Sequence, residues 1–325
     1  MLLRRTVFCL ALGFAAACDS VPSESQGVQT SPPGTATTST PGSSSPKLSG
    51  QLVYSAGSPV ESELYVLQVG VDGAVPTKLP QPSGVYDGWP AWTPDGKQIV
   101  FSRSNPNNRQ NTIEMMAPDG SNARQLAQCV NECQFITPTA DGRVYYVDSF
   151  TSGRNASAPV YSVPVSGGSP VEWAPLQGTT TRPRLRRSTD GRMLVVETPG
   201  IGSTYIVGID QMVLPPALDP SISGVADVLA LLGPQSNKLH LFVTDSMFAM
   251  QVYETDLSGK SPSMTLKVEP ALALDRGATM FSPDGKFVLT AVNGLRAIHL
   301  QGASGSFVPI VGVPDNAQVR HFDFR

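Results

Sequence analysis

The sequence predicts an all-β protein, a six-bladed β-propeller of four-stranded blades, and three observations carry that prediction. First, the 325 residues include 30 Gly and 29 Pro, about 18% of the chain, where average usage is near 12%. Long helices tolerate neither residue in their interior, whereas tight turns between short strands need both. Second, a turn followed by a short run of β-branched and aromatic residues recurs six times. Its Gly or Asn falls at positions 50, 96, 142, 191, 237 and 285, in steps of 46, 46, 49, 46 and 48. Such regularity marks a repeat architecture. Third, the runs after the turns, such as Ile99-Val100-Phe101 and Val144-Tyr145-Tyr146-Val147, are continuously apolar. Strands of that kind are covered on both faces, as in sheets stacked between neighbouring sheets.

Taken from the N-terminus, Arg4 and Arg5 precede an apolar stretch from Thr6 to Ala17 that is too short to cross a bilayer, which reads as a cleaved signal peptide over residues 1–17. The triplet Ala15-Ala16-Ala17 before Cys18 resembles the bacterial lipobox, which implies diacylation of the Cys18 thiol and a lipid anchor in the cell envelope, on the periplasmic or the cell-surface face. The alternative is ordinary cleavage after Ala17 that leaves Cys18 a free thiol. Asp19 resembles the enteric inner-membrane retention signal, and the leaflet stays open. Residues 18–47 then form the lipidated Cys and a Ser/Thr/Pro tether. Residues 19–47 hold five Pro and no aromatic residue, too little apolar surface to offset the entropy of ordering. As a flexible coil such a segment spans roughly 30 Å.

The propeller is expected over residues 48–325. In Trp92-Thr93-Pro94-Asp95-Gly96, Pro presets φ, Asp accepts backbone hydrogen bonds and Gly supplies the left-handed residue. Third strands follow, for example Glu63–Leu67 and Pro159–Val163. Second turns (Asp72-Gly73, Asp119-Gly120, Gly167-Gly168) lead into polar outer strands. Four strands in each repeat of this length make a propeller blade. The first unit begins at its second strand, and Gln318–Arg325 forms a strand with no blade of its own. The C-terminal strand is therefore expected to supply the innermost strand of blade one.

The segment Gly88-Trp-Pro-Ala-Trp-Thr-Pro-Asp-Gly-Lys-Gln-Ile-Val-Phe-Ser102, with Ala117-Pro-Asp-Gly-Ser-Asn-Ala-Arg-Gln-Leu126 and Met280-Phe-Ser-Pro-Asp-Gly-Lys286, resembles a repeat of the TolB-type β-propeller. The resemblance extends over residues 48–325 and implies the fold. Related repeats serve in periplasmic scaffolds and in propeller domains of peptidases, so it specifies function poorly. The small α/β domain that precedes the TolB propeller is replaced here by the tether, so TolB's interaction with the Pal lipoprotein is not carried over.

The formal net charge is −3 and no long basic block occurs, so nucleic acid is not an expected partner. His240, His299 and His321 are the three histidines. None has metal-ligand spacing, and no metal or cofactor is expected. Asp141, Asp190 and Asp284 are explained by their turns. No Gly-x-Ser-x-Gly elbow occurs, and the chain is expected not to be an enzyme. Cys129 and Cys133 read as a disulfide in an exported protein. In Arg182-Pro-Arg184-Leu-Arg186-Arg187, the residues Arg182, Arg184 and Arg186 share one strand face. With Arg276 they are read either as a basic funnel in the central channel or as partners of acids on neighbouring blades. Trp89 and Trp92 suit inter-blade packing or a ligand platform. The expected binding residues are thus Asp87, Trp89, Arg182, Arg184, Arg186 and Arg276, beside the Cys129–Cys133 loop. The expected function is a monomeric, membrane-anchored scaffold for an envelope protein or peptide. The alternatives are a carbohydrate- or small-anion-binding module and a propeller hydrolase or lactonase.

Overall fold

Six sheets follow one another along the chain; in five of them the four blade strands are antiparallel and run in sequence from the central channel outward, and in the first the last strand of the chain takes the innermost place. The computed structural model describes residues 47–58, 61–149, 158–173, 183–198, 203–208, 212–213, 225–234, 238–245, 250–257, 263–268, 278–291, 294–300, 304–314 and 316–325. The expected signal peptide, Cys18 and all of the expected tether but Lys47 lie outside them. Blade one contains β1 (Gly50–Ala56), β2 (Glu63–Val69) and β3 (Thr77–Lys78). Blade two is β4 (Tyr86–Trp92), β5 (Ile99–Asn105), β6 (Gln110–Met116) and β7 (Arg124–Cys129). Blade three is β8 (Glu132–Pro138), β9 (Arg143–Ser149), β10 (Val160–Pro164) and β11 (Val171–Glu172). Blade four is β12 (Arg184–Arg187), β13 (Met193–Thr198), β14 (Ser203–Gly208) and β15 (Met212–Val213). Blade five is β16 (Val225–Leu232), β17 (Lys238–Asp245), β18 (Met250–Asp256) and β19 (Ser263–Val268). Blade six is β20 (Thr279–Phe281), β21 (Phe287–Thr290), β22 (Arg296–His299) and β24 (Val308–Pro309). The short β23 (Ser304–Gly305) pairs in parallel with the outer edge of blade five.

The ring closes as the sequence predicts. The last strand, β25 (Val319–Phe324), is the innermost strand of blade one and pairs antiparallel with β1, Phe324 opposite Leu52 and Phe322 opposite Tyr54. Reciprocal backbone bonds between Gln51 and Arg325, of 2.7 and 2.9 Å, extend the ladder by one more residue.

Continuous apolar runs have a direct cause in the packing. Along β5, Ile99 and Phe101 enter the seam with blade one, whereas Val100 enters the seam with blade three. Along β13, Leu194 and Val196 face blade three while Val195 faces blade five. Every second strand thus has two buried faces, and burying one such aliphatic side chain stabilises the fold by about 1.5–3 kcal/mol. The outer strands β3 and β11 are exposed throughout.

The recurring turn is a small hydrogen-bonded unit. In blade two the Thr93 hydroxyl donates to Asp95 (2.7 Å), Asp95 accepts from the Lys97 amide (3.1 Å), and Thr93 Oγ1 accepts from the Gln98 amide (3.1 Å). Ser282, Asp284, Lys286 and Phe287 repeat the arrangement in blade six. Gly96 and Gly285 sit at φ 67° and 68°, where a side chain is disfavoured. Each turn's own bonds therefore fix the start of its second strand, and the blade-four turn is also tied to both neighbours, Gly191 O accepting the Ala140 amide and the Thr189 hydroxyl donating to Pro234 O.

Deletion of residues 319–325 leaves β1 as a bare inner edge, which invites edge-to-edge association. The truncated chain is expected to aggregate in size-exclusion chromatography. A monodisperse, folded truncation product contradicts the assigned closure.

Candidate functional site

A cavity of about 240 Å³ occupies the central channel, and inner-strand residues of all six blades line it. Its wall runs from Trp89, Phe135 and His321 at one level to Thr93, Arg187, Ser188, Pro283 and Arg325 at the other.

The aromatic level is built by two equivalent irregularities. β4 carries one extra residue between Gly88 and Ala91 relative to β5, and β8 carries one between Gln134 and Thr137 relative to β9. At these bulges Trp89 (φ 49°) and Phe135 (φ 52°) adopt left-handed backbone conformations, which for bulky residues stores about 1–3 kcal/mol each. A bulge re-aims the side chain it carries. The Trp89 ring lies 4.4 Å from that of Phe135 and stacks on His321 at 3.5 Å and 24°. Three consecutive blades thereby contribute one row of rings. Burial, with the nearby Arg320 charge, pushes the His321 pKa down to about 3, so the imidazole in this row is neutral at ordinary pH.

The polar level centres on Asp323 of β25. Its Oδ2 accepts the Trp92 amide of blade two (2.7 Å) and Arg187 Nη2 of blade four (2.8 Å). Arg187 and Asp323 are both mostly buried, so this pair is a bar across the channel. Arg325 caps the same level, its guanidinium 4.3 Å from the centre of the Trp92 ring and one nitrogen bonded to Gln51 Oε1.

The sequence-predicted residues fall into distinct places. Trp89 is in the channel. Arg186 lines the cavity while Nη2 donates to the buried Glu197 carboxylate at 3.2 Å. Arg184 is half-buried on β12 and does not line the cavity. Arg182, Arg276 and the expected lipidation site Cys18 lie outside the described residues. Asp87 is held by Arg103 through two 2.8 Å bonds, and Arg103 also bonds Glu114 at 2.6 Å. Burial raises the Asp87 pKa, opposed by Arg103. This ladder lies within blade two and is not among the cavity walls. Cys129 and Cys133 form a disulfide that joins the end of β7 to β8. The buried Asp148 accepts the Val130 and Asn131 amides of that loop, both at 2.8 Å. Of the histidines, His240 packs edge-on against Phe281 and His299 tilts against Phe287. Among the described residues no cluster of His, Cys, Asp or Glu can hold a metal ion.

Four functional candidates were not singled out from sequence: Phe135, Arg187, Asp323 and Arg325. Phe135 was recoverable, because positions 89 and 135 stand the same seven residues before Gly96 and Gly142. The same count places Arg184 before Gly191, yet β12 pairs with β13 without a register shift. Without a bulge, Arg184 is not re-aimed into the channel. Asp323 was visible as the one carboxylate in the closing strand.

No protein family matches the sequence, and no curated protein is similar to it. Among solved structures the chain is similar to a chain of the nidogen/laminin complex, with TM-score 0.58 and 9% identity over 85% of this chain and 98% of that one. It is also similar to oligogalacturonate lyase from Vibrio parahaemolyticus, with TM-score 0.54 and 10% identity over 80% and 74%. A candidate 6-phosphogluconolactonase from Bacteroides fragilis NCTC 9343 gives TM-score 0.51 and 10% identity over 85% and 98%. At such identities the likeness shows the fold, a β-propeller. It also corrects the expectation of a non-enzyme, because the lactonase and lyase are enzymes on this architecture. The scarcity of His and the missing nucleophile elbow exclude particular chemistries, not catalysis in a propeller channel.

The neutral His321 makes stability pH-dependent. Its folded pKa of about 3 lies below the ordinary 6.5, so its contribution is complete above pH 6.5 and is lost as pH falls toward 3. One such group adds a slope of at most about 1.4 kcal/mol per pH unit. His321→Gln is expected to flatten the unfolding free energy measured in urea between pH 6.5 and 4. An unchanged slope would place the acid sensitivity elsewhere, for example in His240, whose pKa burial also lowers.

Proposed function

We propose that the protein is a bacterial envelope lipoprotein, anchored through Cys18, whose propeller takes a small organic anion into the central cavity. The observation that carries this reading is the charge of the wall. Three guanidiniums line the cavity beside a neutral imidazole: Arg186 is bonded to the buried Glu197 carboxylate and Arg187 to Asp323, which leaves Arg325, bonded to the neutral Gln51 side-chain amide, as the cation in excess. The chain as a whole carries −3, so the positive lining is local to the channel.

Arg187 is the group placed to bind. Nη2 is committed to Asp323, and its other nitrogens have no acceptor among the described residues. The planar fork of Arg suits a carboxylate or phosphate, and each charge-assisted bond contributes about 1.5–3 kcal/mol. A cavity of about 240 Å³ admits a small molecule rather than a folded partner. That favours the small-anion reading over a protein scaffold.

The test is calorimetric titration of the protein with acetate, benzoate, gluconate and phosphate, with each ligand recovered and examined by NMR for turnover. At least one anion is expected to bind, and Arg187→Gln is expected to weaken it tenfold or more, equivalent to about 1.4 kcal/mol. Binding by none of the four, or binding indifferent to Arg187→Gln in a variant that is still folded at the temperature of the titration, overturns the reading. The anchor is checked separately. The full chain is expected to take up radiolabelled palmitate in a bacterial host, and Cys18→Ser to take up none.

A further inference from the structure

We infer that the anion is an aromatic carboxylate, its ring received by the Trp89–Phe135 wall and its carboxylate by Arg187. This rests on the anion-binding reading above and adds the chemistry of the ligand's other end.

Backbone strain is the first support. Trp89 and Phe135 hold left-handed conformations at φ 49° and 52°, and each costs about 1–3 kcal/mol. Filling a channel with apolar atoms needs no such strain. Regular inner strands do it at Leu231 and Phe281, which also line the cavity. What the two bulges add is a fixed position for two flat rings, locked by their 4.4 Å contact and by the His321 stack. Rings held in place before a ligand arrives lower the ordering cost of binding.

Polarity and spacing give the second support. Trp89 and Trp92 lie three residues apart on one bulged strand, and Asp323 meets Arg187 at the Trp92 amide. Three residues of strand advance roughly 10 Å, less where a bulge takes up one of them. The reach between aromatic wall and guanidinium is then that of a single ring bearing a carboxylate directly or through one methylene. Leu185 and Met280 add apolar surface to the remaining wall, beside the hydroxyls of Thr137 and Thr279.

The experiment is calorimetric titration with benzoate, phenylacetate, cyclohexanecarboxylate and acetate, with phosphate as the non-carboxylate control. The proteins are wild type, Phe135→Leu and Phe135→Gly. The glycine variant removes the ring and the strain together, so it serves if the leucine variant fails to fold. Wild type is expected to bind an aryl acid at least tenfold more tightly than cyclohexanecarboxylate or acetate. Both variants are expected to lose that preference while acetate affinity stays within about threefold. Equal affinity for the aryl and cyclohexyl acids overturns the aromatic assignment and leaves the anion site standing. Binding of phosphate alone also overturns it. Failure of all five ligands overturns the aromatic assignment, and if gluconate also fails it overturns the anion reading.

Discussion

Everything in the channel depends on one strand arriving last. β25 is the inner strand of blade one, so the ring exists only once the C-terminal residues have paired with β1, laid down at the start of the domain. Phe322 and Phe324 drive that pairing by entering the seam between blades six and one, and Asp323, on the alternate face, ties the strand to blades two and four. Contacts between segments so distant in sequence are entropically expensive. The strand is accordingly fixed by several kinds of interaction together: backbone ladder, apolar seam, ion pair and the Arg325–Trp92 stack.

That arrangement gives the closing strand two roles. His321 completes the aromatic row, and Asp323 orients Arg187 across the channel. A mostly buried ion pair adds little net stability, because desolvation offsets attraction, whereas removing one partner costs about 3–5 kcal/mol. The value of the Arg187–Asp323 pair is therefore positional. It holds a guanidinium at a fixed height in the channel, where a flexible Arg would otherwise have to be ordered by the ligand.

Local chemistry explains what could be read from the sequence. The Ser/Thr-x-Asp-Gly turns, the doubly buried second strands and the spare C-terminal strand are written in residues close together in the chain. So was the disulfide, whose cysteines stand four apart. The site was less legible, since its contacts depend on geometry between blades. Arg187 meets a carboxylate 136 residues away, and strand alternation alone assigned significance to the other face, that of Arg184 and Arg186. Asp87 was expected among the binding residues, yet Arg103 on the next strand pairs with it. Trp89 and Arg184 hold equivalent places in their repeats, and only the register of β4 against β5 shows that a bulge turns one of them into the channel. The expectation of a non-enzyme rested on residue counts, and enzymes among the structural neighbours show that such counts do not decide what a propeller channel can do.

The central claim, that ring closure and ligand binding share one strand, is tested most directly by hydrogen exchange with and without a bound anion. The account predicts slower exchange at the Trp92 and Phe324 amides, which donate to Asp323, and at Arg325, with outer strands such as β3 and β11 unchanged. An anion that binds while exchange in β25 stays as it was would contradict it.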